Sequence, residues 1–279
     1  MPELPEVETV RKGLEPLLKG ATIKTVTLRR TGLRAPFPAG FAQSLEGATI
    51  TRLRRRAKYI LADLDTGQVW LSHLGMSGSF REVPKGTPFT PETHDHVILT
   101  LESGKRLVFN DPRRFGQMDL YDRDQEDAHK ALSALGPEPL TRDFSGLVLH
   151  KRLLGKKVPI KVALLDQRVV SGVGNIYACE ALFRAGINPR KASGKINLAS
   201  CDDLAQAIKD VMNAALKSGG SSLRNHRQVD GKEGLFQHHF MVYDHAGARC
   251  TACGCKKEHY IKTIVQAGRT TFYCPEKQR

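Results

Sequence analysis

The spacing of apolar and polar positions changes period twice along the chain. In PEVETVRKGLEPLLK (residues 5–19), Val7, Val10, Leu14, Leu17 and Leu18 recur along one helical face, which predicts a helix. Pro5 suits its first turn, where a missing N–H is not missed; Pro16 should kink or end it. From residue 21 to about 122 the period drops towards two. TIKTVTLRR, ATITRL, AKYILADL, VWLSHL, HVILTLES, KRLVF and QMDLY are short β-rich runs divided by turn signals such as DTG and ESGK. Many short alternating runs predict an antiparallel sandwich or barrel.

After the linker-like GPEPLTRD (136–143) the helical period returns. NIYACEALFRAG, from Asn175, predicts a helix stopped by Gly186. Ser200 and Asp203 have capping-box spacing ahead of Leu204, Ile208, Val211, Met212 and Leu216, and Gly219–Gly220 should end that helix. The polar stretch Ser221–Gly234, with VDGKEG inside it, is long enough to be a functional loop. Beyond it come two short β-like runs, HHFMVYD and TTFYC. The expected division is a helix plus β domain over 1–135, a linker over 136–149, a helical domain over 150–237 that includes the 221–234 loop, and a small terminal module over 238–279.

Charge narrows the partner. Lys and Arg total 43 against 29 acids, a net charge of +14 with a pI near 9.6, which favours a polyanion such as nucleic acid. The bases cluster, with Arg52, Arg54, Arg55, Arg56 and Lys58 in one group and Lys151, Arg152, Lys156, Lys157 and Lys161 in another. No stretch approaches the roughly 20 apolar residues of a spanning helix. The first residues carry Glu3, Glu6 and Glu8 and no apolar core of a signal peptide, so a cytoplasmic protein without a membrane partner is expected. None of the six cysteines precedes Cys179, and Cys250, Cys253, Cys255 and Cys274 crowd the end. Disulfides are not expected in such a compartment, and a terminal cluster opening with C-x-x-C reads as a metal site.

Four stretches and a fifth at the close carry the chemistry: MPELPEVET, HLGMSG (73–78), NDPRRFG (110–116), SGVGNIYACEALFRAGI (171–187) and GRTTFYCP. In this order they resemble the formamidopyrimidine-DNA glycosylases, the bacterial 8-oxoguanine repair enzymes, over essentially the whole chain. The resemblance implies an α+β multidomain fold: an N-terminal helix with an antiparallel β-sandwich, a helix–two-turn–helix domain, and a C-terminal β-hairpin module of zinc-finger type. It also implies a bifunctional glycosylase and AP lyase acting on double-stranded DNA with a damaged base; with no long apolar edge visible in the sequence, a monomer is expected.

Residue by residue, removal of Met1 would free Pro2, whose amine titrates near an α-amino group, about 7.7–8.0, rather than near a lysine at about 10.4. A neutral amine can attack the sugar C1′, displace the base and leave an iminium. Resemblance makes Pro2 the nucleophile and Glu3 the proton donor and acceptor, with Glu6 in support; charge at a helix N-terminus is the plainer reading for Glu6 and Glu8. Lys58 and Arg269 match family residues that grip phosphate at the lesion. Met76, Arg113 and Phe115 match residues inserted into the duplex when the base is extruded, although Met76 and Phe115 alone would read as core. Asn175 matches a backbone contact at a glycine-rich helix start, where a simple cap is the plainer reading, and Lys161 adds charge; His73, His94 and His96 are phosphate candidates or equally structural histidines, and Arg224 in the long loop is a base or phosphate contact. A second C-x-x-C is expected after the hairpin, but its last position holds Lys277; zinc would be held by Cys250, Cys253 and Cys274, with Cys255 or His259 as fourth ligand, the alternative being a weakened or metal-free module held by packing. The long loop and Leu4 favour oxidised purines over an endonuclease VIII-like action on oxidised pyrimidines, and the Pro2–Glu3 pair disfavours a non-catalytic damaged-DNA binder.

Overall fold

The structure is a computed structural model that describes residues 1–221, 229, 234–252 and 260–279. The chain forms two compact units, Met1–Ser133 with Ser218–Leu235, and Ala134–Lys217 with Phe236–Arg279.

In the first unit, helix α1 runs Leu4–Leu18 and buries Val7, Val10, Leu14, Leu17 and Leu18, the face its period predicted. Pro16 lies inside the helix, near enough to the end that few backbone bonds are lost. Eight strands follow: β1 Ile23–Leu28, β2 Ile50–Arg56, β3 Tyr59–Leu64, β4 Gln68–His73, β5 Ser79–Val83, β6 Asp95–Leu101, β7 Arg106–Asn110 and β8 Gln117–Asp122. They pair antiparallel into two four-stranded sheets, β1-β6-β7-β5 and β2-β3-β4-β8, so the domain is a sandwich, not a barrel. Ile23, Val97, Leu99 and Phe109 from one sheet and Leu53, Ile60, Trp70 and Met118 from the other share one core with α1 and with Phe41 and Leu45 of the short helix α2, Phe41–Leu45. Each such side chain contributes about 1.5–3 kcal/mol on burial.

In the second unit, α3 Gly146–Leu153, α4 Ile160–Leu165, α5 Asn175–Arg184 and α6 Leu198–Lys217 precede a hairpin of β9 Lys262–Gln266 and β10 Arg269–Tyr273. Three local expectations are corrected. The 136–149 linker ends early, because the Ser145 hydroxyl accepts the Val148 N–H at 3.3 Å and starts α3. Helix α6 starts before Ser200; Asn197 Oδ1 accepts the Ser200 N–H at 2.8 Å in place of a Ser200–Asp203 box. HHFMVYD is not a strand: Phe236–His239 is a short 3-10 turn that stacks Phe236 on Tyr177, with centroids 5.9 Å apart. The partner of TTFYC is Lys262–Gln266, joined to it by Ala267 (φ 49°) and Gly268 (φ 69°), the left-handed pair that a two-residue hairpin turn requires.

The unit boundaries also differ from those expected. Residues 218–235 group with the sandwich and not with the helices, and the cysteine-bearing module groups with the helical segment. The first follows from contacts of Ser221 with Glu6 and of Val229 with the sandwich core. Among the described residues no helix is long and apolar enough to cross a membrane.

Candidate active site

The chain terminus is built into the first unit. Pro2 is buried and Glu3 is 2% exposed, whereas Met1 is exposed at 43%. The Glu3 N–H donates to Glu6 Oε2 at 2.9 Å, while Glu6 Oε1 accepts both the N–H and the hydroxyl of Ser221, each at 2.9 Å. Glu6 therefore brackets the terminus to a segment 215 residues away, more than a helix-end charge would do. Glu8 has the plainer role, pairing with Arg11 at 2.9 Å and Arg55 at 3.2 Å.

Helix α1 lies along β2 in a definite register. Arg11 reaches the Leu53 carbonyl at 3.5 Å and Glu8 reaches Arg55, so the start of the helix runs towards Ala57–Lys58. These two residues form the β2–β3 turn, with Ala57 at φ 52° and Lys58 buried at 5% exposure. A left-handed alanine costs on the order of 1 kcal/mol, and such strain collects at sites that require a particular chain path. Two neighbouring arginines are structural. Arg55 is held by Glu8 and the Ala57 carbonyl, and Arg54 forks between Asp63 at 2.6 Å and Glu126 at 2.7 Å. His73 packs against Tyr59, with centroids 5.0 Å apart, and its Nδ1 accepts the Gly75 N–H at 3.1 Å. Burial, then the charges of Lys58 and Arg34, push its pKa down to about 4, so the ring is neutral at physiological pH.

Two loops present the insertion candidates. Residues 74–78 join β4 to β5, and residues 111–116 join β7 to β8. Met76 and Phe115 are exposed at 37% and 43%, and the Arg113 guanidinium lies 5.0 Å from the Phe115 ring centre. Large apolar side chains held in the open among Gly, Ser and Arg are what a duplex-inserting wedge requires. Gly75 (φ 63°) lies so close to Phe115 and Gly116 that a Cβ would collide with their backbone, which puts the two loops in direct contact. His96 does not belong to this exposed set. It is 3% exposed, and its Nε2 donates to the Asp111 carbonyl at 3.0 Å, so it braces the second loop from within.

In the second unit the α4–α5 turn is cross-braced by Gln167. Its Oε1 accepts the Gly172 N–H at 2.8 Å and its Nε2 donates to the Val173 carbonyl at 2.8 Å. Asn175 opens α5 and donates to the Thr270 carbonyl at 2.9 Å, which fixes the hairpin next to Arg269; Arg269 itself is exposed on the turn. Lys161, read from the sequence as added charge at this turn, is fully buried in α4. Sequence reasoning missed Glu180. Buried at 3%, its carboxylate accepts the N–H groups of Met241, Val242 and Tyr243 at 2.9, 2.9 and 2.8 Å and clamps that segment to α5.

Cys250 and Cys274 are buried in one apolar cluster with Cys179, Phe183, Val242, Ile261 and Phe272. The Lys277 ammonium sits 5.3 Å from the Phe183 ring centre and offers no thiolate. Two thiols fit one half of a zinc site, but the described residues contain no group of three or more His, Cys, Asp or Glu able to hold a metal. Cys253, Cys255, His259 and Arg224 lie outside the described residues.

Two family models match the chain: the formamidopyrimidine-DNA glycosylase N-terminal domain over residues 1–118 and the H2TH domain of the same family over residues 135–227. A formamidopyrimidine-DNA glycosylase of Jannaschia sp. (strain CCS1) is 52% identical over 285 residues, covering all of both chains. The crystal structure of the MutM (Fpg) protein from Thermus thermophilus superposes with a TM-score of 0.87 at 39% identity, over 99% of this chain and 98% of that one. A Lactococcus lactis Fpg mutant in complex with DNA containing Fapy-dG superposes with a TM-score of 0.90 at 33% identity over the full length of both.

Proposed function

The chain belongs to the formamidopyrimidine-DNA glycosylase family, and on that premise we propose that it is a base-excision repair enzyme that removes 8-oxoguanine and formamidopyrimidines from double-stranded DNA and then cuts the strand. The observation that carries the reading is the burial of Pro2 and Glu3 at a terminus bracketed by Glu6 and directed towards Lys58. Once Met1 is removed, the Pro2 nitrogen attacks C1′; the bond to the base breaks, and the base leaves with a proton. Glu3 protonates the opening sugar and later moves protons. The resulting iminium acidifies the C2′ proton, whose loss breaks the C3′–O bond; a second elimination breaks the C5′–O bond, and water releases Pro2.

Lys58 and Arg269 neutralise phosphates flanking the lesion, Asn175 and the α5 start add a backbone contact, and Met76, Arg113 and Phe115 fill the space left by the extruded base. Arg224 reads the base or its phosphate from the 221–234 loop. Zinc would be held by Cys250, Cys253 and Cys274 with Cys255 or His259, where it would brace the hairpin that carries Arg269. The protein acts as a monomer in the cytoplasm. It is organised functionally as the sandwich with its helix, the helix–two-turn–helix segment and the terminal module. The full-length likeness to proteins named for formamidopyrimidine favours oxidised purines over oxidised pyrimidines.

The test is a duplex carrying one 8-oxoguanine, treated with borohydride. A covalent complex should form, and should be lost when Met1 is retained or when a tag blocks Pro2. Binding without trapping or cleavage would leave only a damage-binding protein. Metal analysis of the purified chain, beside Lys277→Cys, decides the zinc assignment.

A further inference from the structure

The loops carrying Met76 and Arg113–Phe115 each pass from one sheet of the sandwich to the other, and a single buried residue ties them together. Asp111 is fully buried, and every polar atom it has is used. Its N–H donates to the His94 carbonyl at 3.0 Å, and its carbonyl accepts His96 Nε2 at 3.0 Å and the Arg114 N–H at 3.2 Å. Its Oδ2 accepts the Gly116 N–H at 2.7 Å, closing its own loop, and its Oδ1 accepts the Ser77 hydroxyl from the other loop at 2.5 Å. Ser77 Oγ in turn accepts the Arg113 N–H at 3.0 Å. Gly116 also accepts the Arg34 N–H at 3.0 Å through its carbonyl.

We infer that Asp111 is a positioning residue for base extrusion, locking the two loops into one preformed wedge before DNA arrives. The inference rests on the base-extrusion reading above. Asp111 touches neither the sugar nor the base; it acts through Ser77, Gly116 and the backbone of Arg113. Charge-assisted bonds from one buried carboxylate to both loops remove the ordering cost that separate loops would bear at insertion. Gly75 against Phe115–Gly116 makes the same joint sterically.

The experiment compares Asp111→Ala, Asp111→Asn and Ser77→Ala with the parent chain on two substrates: a duplex with 8-oxoguanine, which must be opened, and a single-stranded oligonucleotide with an abasic site, which need not be. Loosened positioning should slow single-turnover excision from the duplex in Asp111→Ala by roughly a hundredfold, the scale of an ångström misplacement, while trapping on the single strand stays within about twofold. Asparagine can accept from Gly116 and donate to Ser77, so Asp111→Asn should recover most of the loss. Ser77→Ala cuts the inter-loop link without emptying the buried site and should show the same split between substrates, which keeps the question open to test if Asp111→Ala does not fold. Amide exchange at Arg113 and Gly116 should quicken in Asp111→Ala, independently of any activity. Equal losses on both substrates, or unchanged exchange at both amides, would overturn the inference. Failure of the parent chain on both substrates would instead overturn the repair function, with exchange still deciding the role of Asp111.

Discussion

Replacing Glu6 with alanine separates two readings of that residue by magnitude. A carboxylate that merely complements the helix dipole is worth about 0.3–1 kcal/mol. The observed carboxylate is 2% exposed and accepts the Glu3 N–H, the Ser221 N–H and the Ser221 hydroxyl, each at 2.9 Å. Hydrogen bonds to a charged group contribute about 1.5–3 kcal/mol each and are not additive; leaving three buried donors unsatisfied, at about 1–3 kcal/mol each, therefore costs about 3–5 kcal/mol in all. That is a large share of a total stability of about 5–15 kcal/mol. With a urea slope of about 2–3 kcal/mol/M, the unfolding midpoint of Glu6→Ala should fall by about 1–2 M. Glu6→Gln keeps an acceptor for Ser221 but turns an amide donor towards the Glu3 N–H, so it should lose about half as much. Combining Glu6→Ala with Ser221→Ala should give a coupling energy of about 1–2 kcal/mol, because the two residues share bonds. The assay is urea unfolding of the parent, both single variants and the double variant, with borohydride trapping in parallel. A Glu6→Ala loss below about 0.5 kcal/mol with no coupling would return Glu6 to a plain helix-end charge and refute the bracket.

Four further outcomes follow from other groups. His73, with its pKa at about 4 in the fold and about 6.5 when unfolded, stays neutral while the unfolded chain takes up a proton; stability should therefore decline by about 3 kcal/mol between pH 6.5 and 4 and level off below. Denaturant midpoints against pH, in the parent and in His73→Gln, test this, and an unchanged slope in the variant would count against it. Glu180→Ala strands three backbone N–H groups and should cost about 3 kcal/mol, seen as faster limited proteolysis near Met241–Tyr243; cleavage at the parental rate would show the clamp to be idle. Arg54→Ala should cost about 2 kcal/mol by leaving Asp63 and Glu126 facing each other, and double replacement with Asp63→Asn should recover part of it in chemical denaturation. Tyr121, whose pKa is raised by burial and then by Glu126, would respond in the same Arg54→Ala variant through a shift in its absorbance titration.

Elements with a full period of their own were legible in the linear chain. Helix α1 arises where apolar residues recur on one face, and seven of the eight sandwich strands arise from short β-rich runs bounded by turn signals, which is a local instruction. Helix α2, at five residues, is too short to show a period, and SFREV of β5 is too polar to look like a strand before it pairs with β7. HHFMVYD misled because its aromatics pack on rings outside the run, Phe240 against Phe236 and Tyr243 against Phe272, which the chain supplies from elsewhere.

The chemistry divides along the same line. Pro2, Glu3, Lys58, Met76, Arg113 and Phe115 stand in short contiguous stretches, so the sequence alone supplied the residues to which the proposed roles of nucleophile, acid, phosphate grip and wedge are assigned. Tertiary structure alone decided which of the remaining polar residues hold those groups in place. His96 and Lys161 were turned inward, Glu6 was joined to Ser221, Asp111 to Ser77, and Glu180 to Met241–Tyr243. A buried polar atom must find a partner, but nothing in its neighbours along the chain says which; the partner is whichever group folding brings within hydrogen-bond reach, and that is settled by topology and not by period.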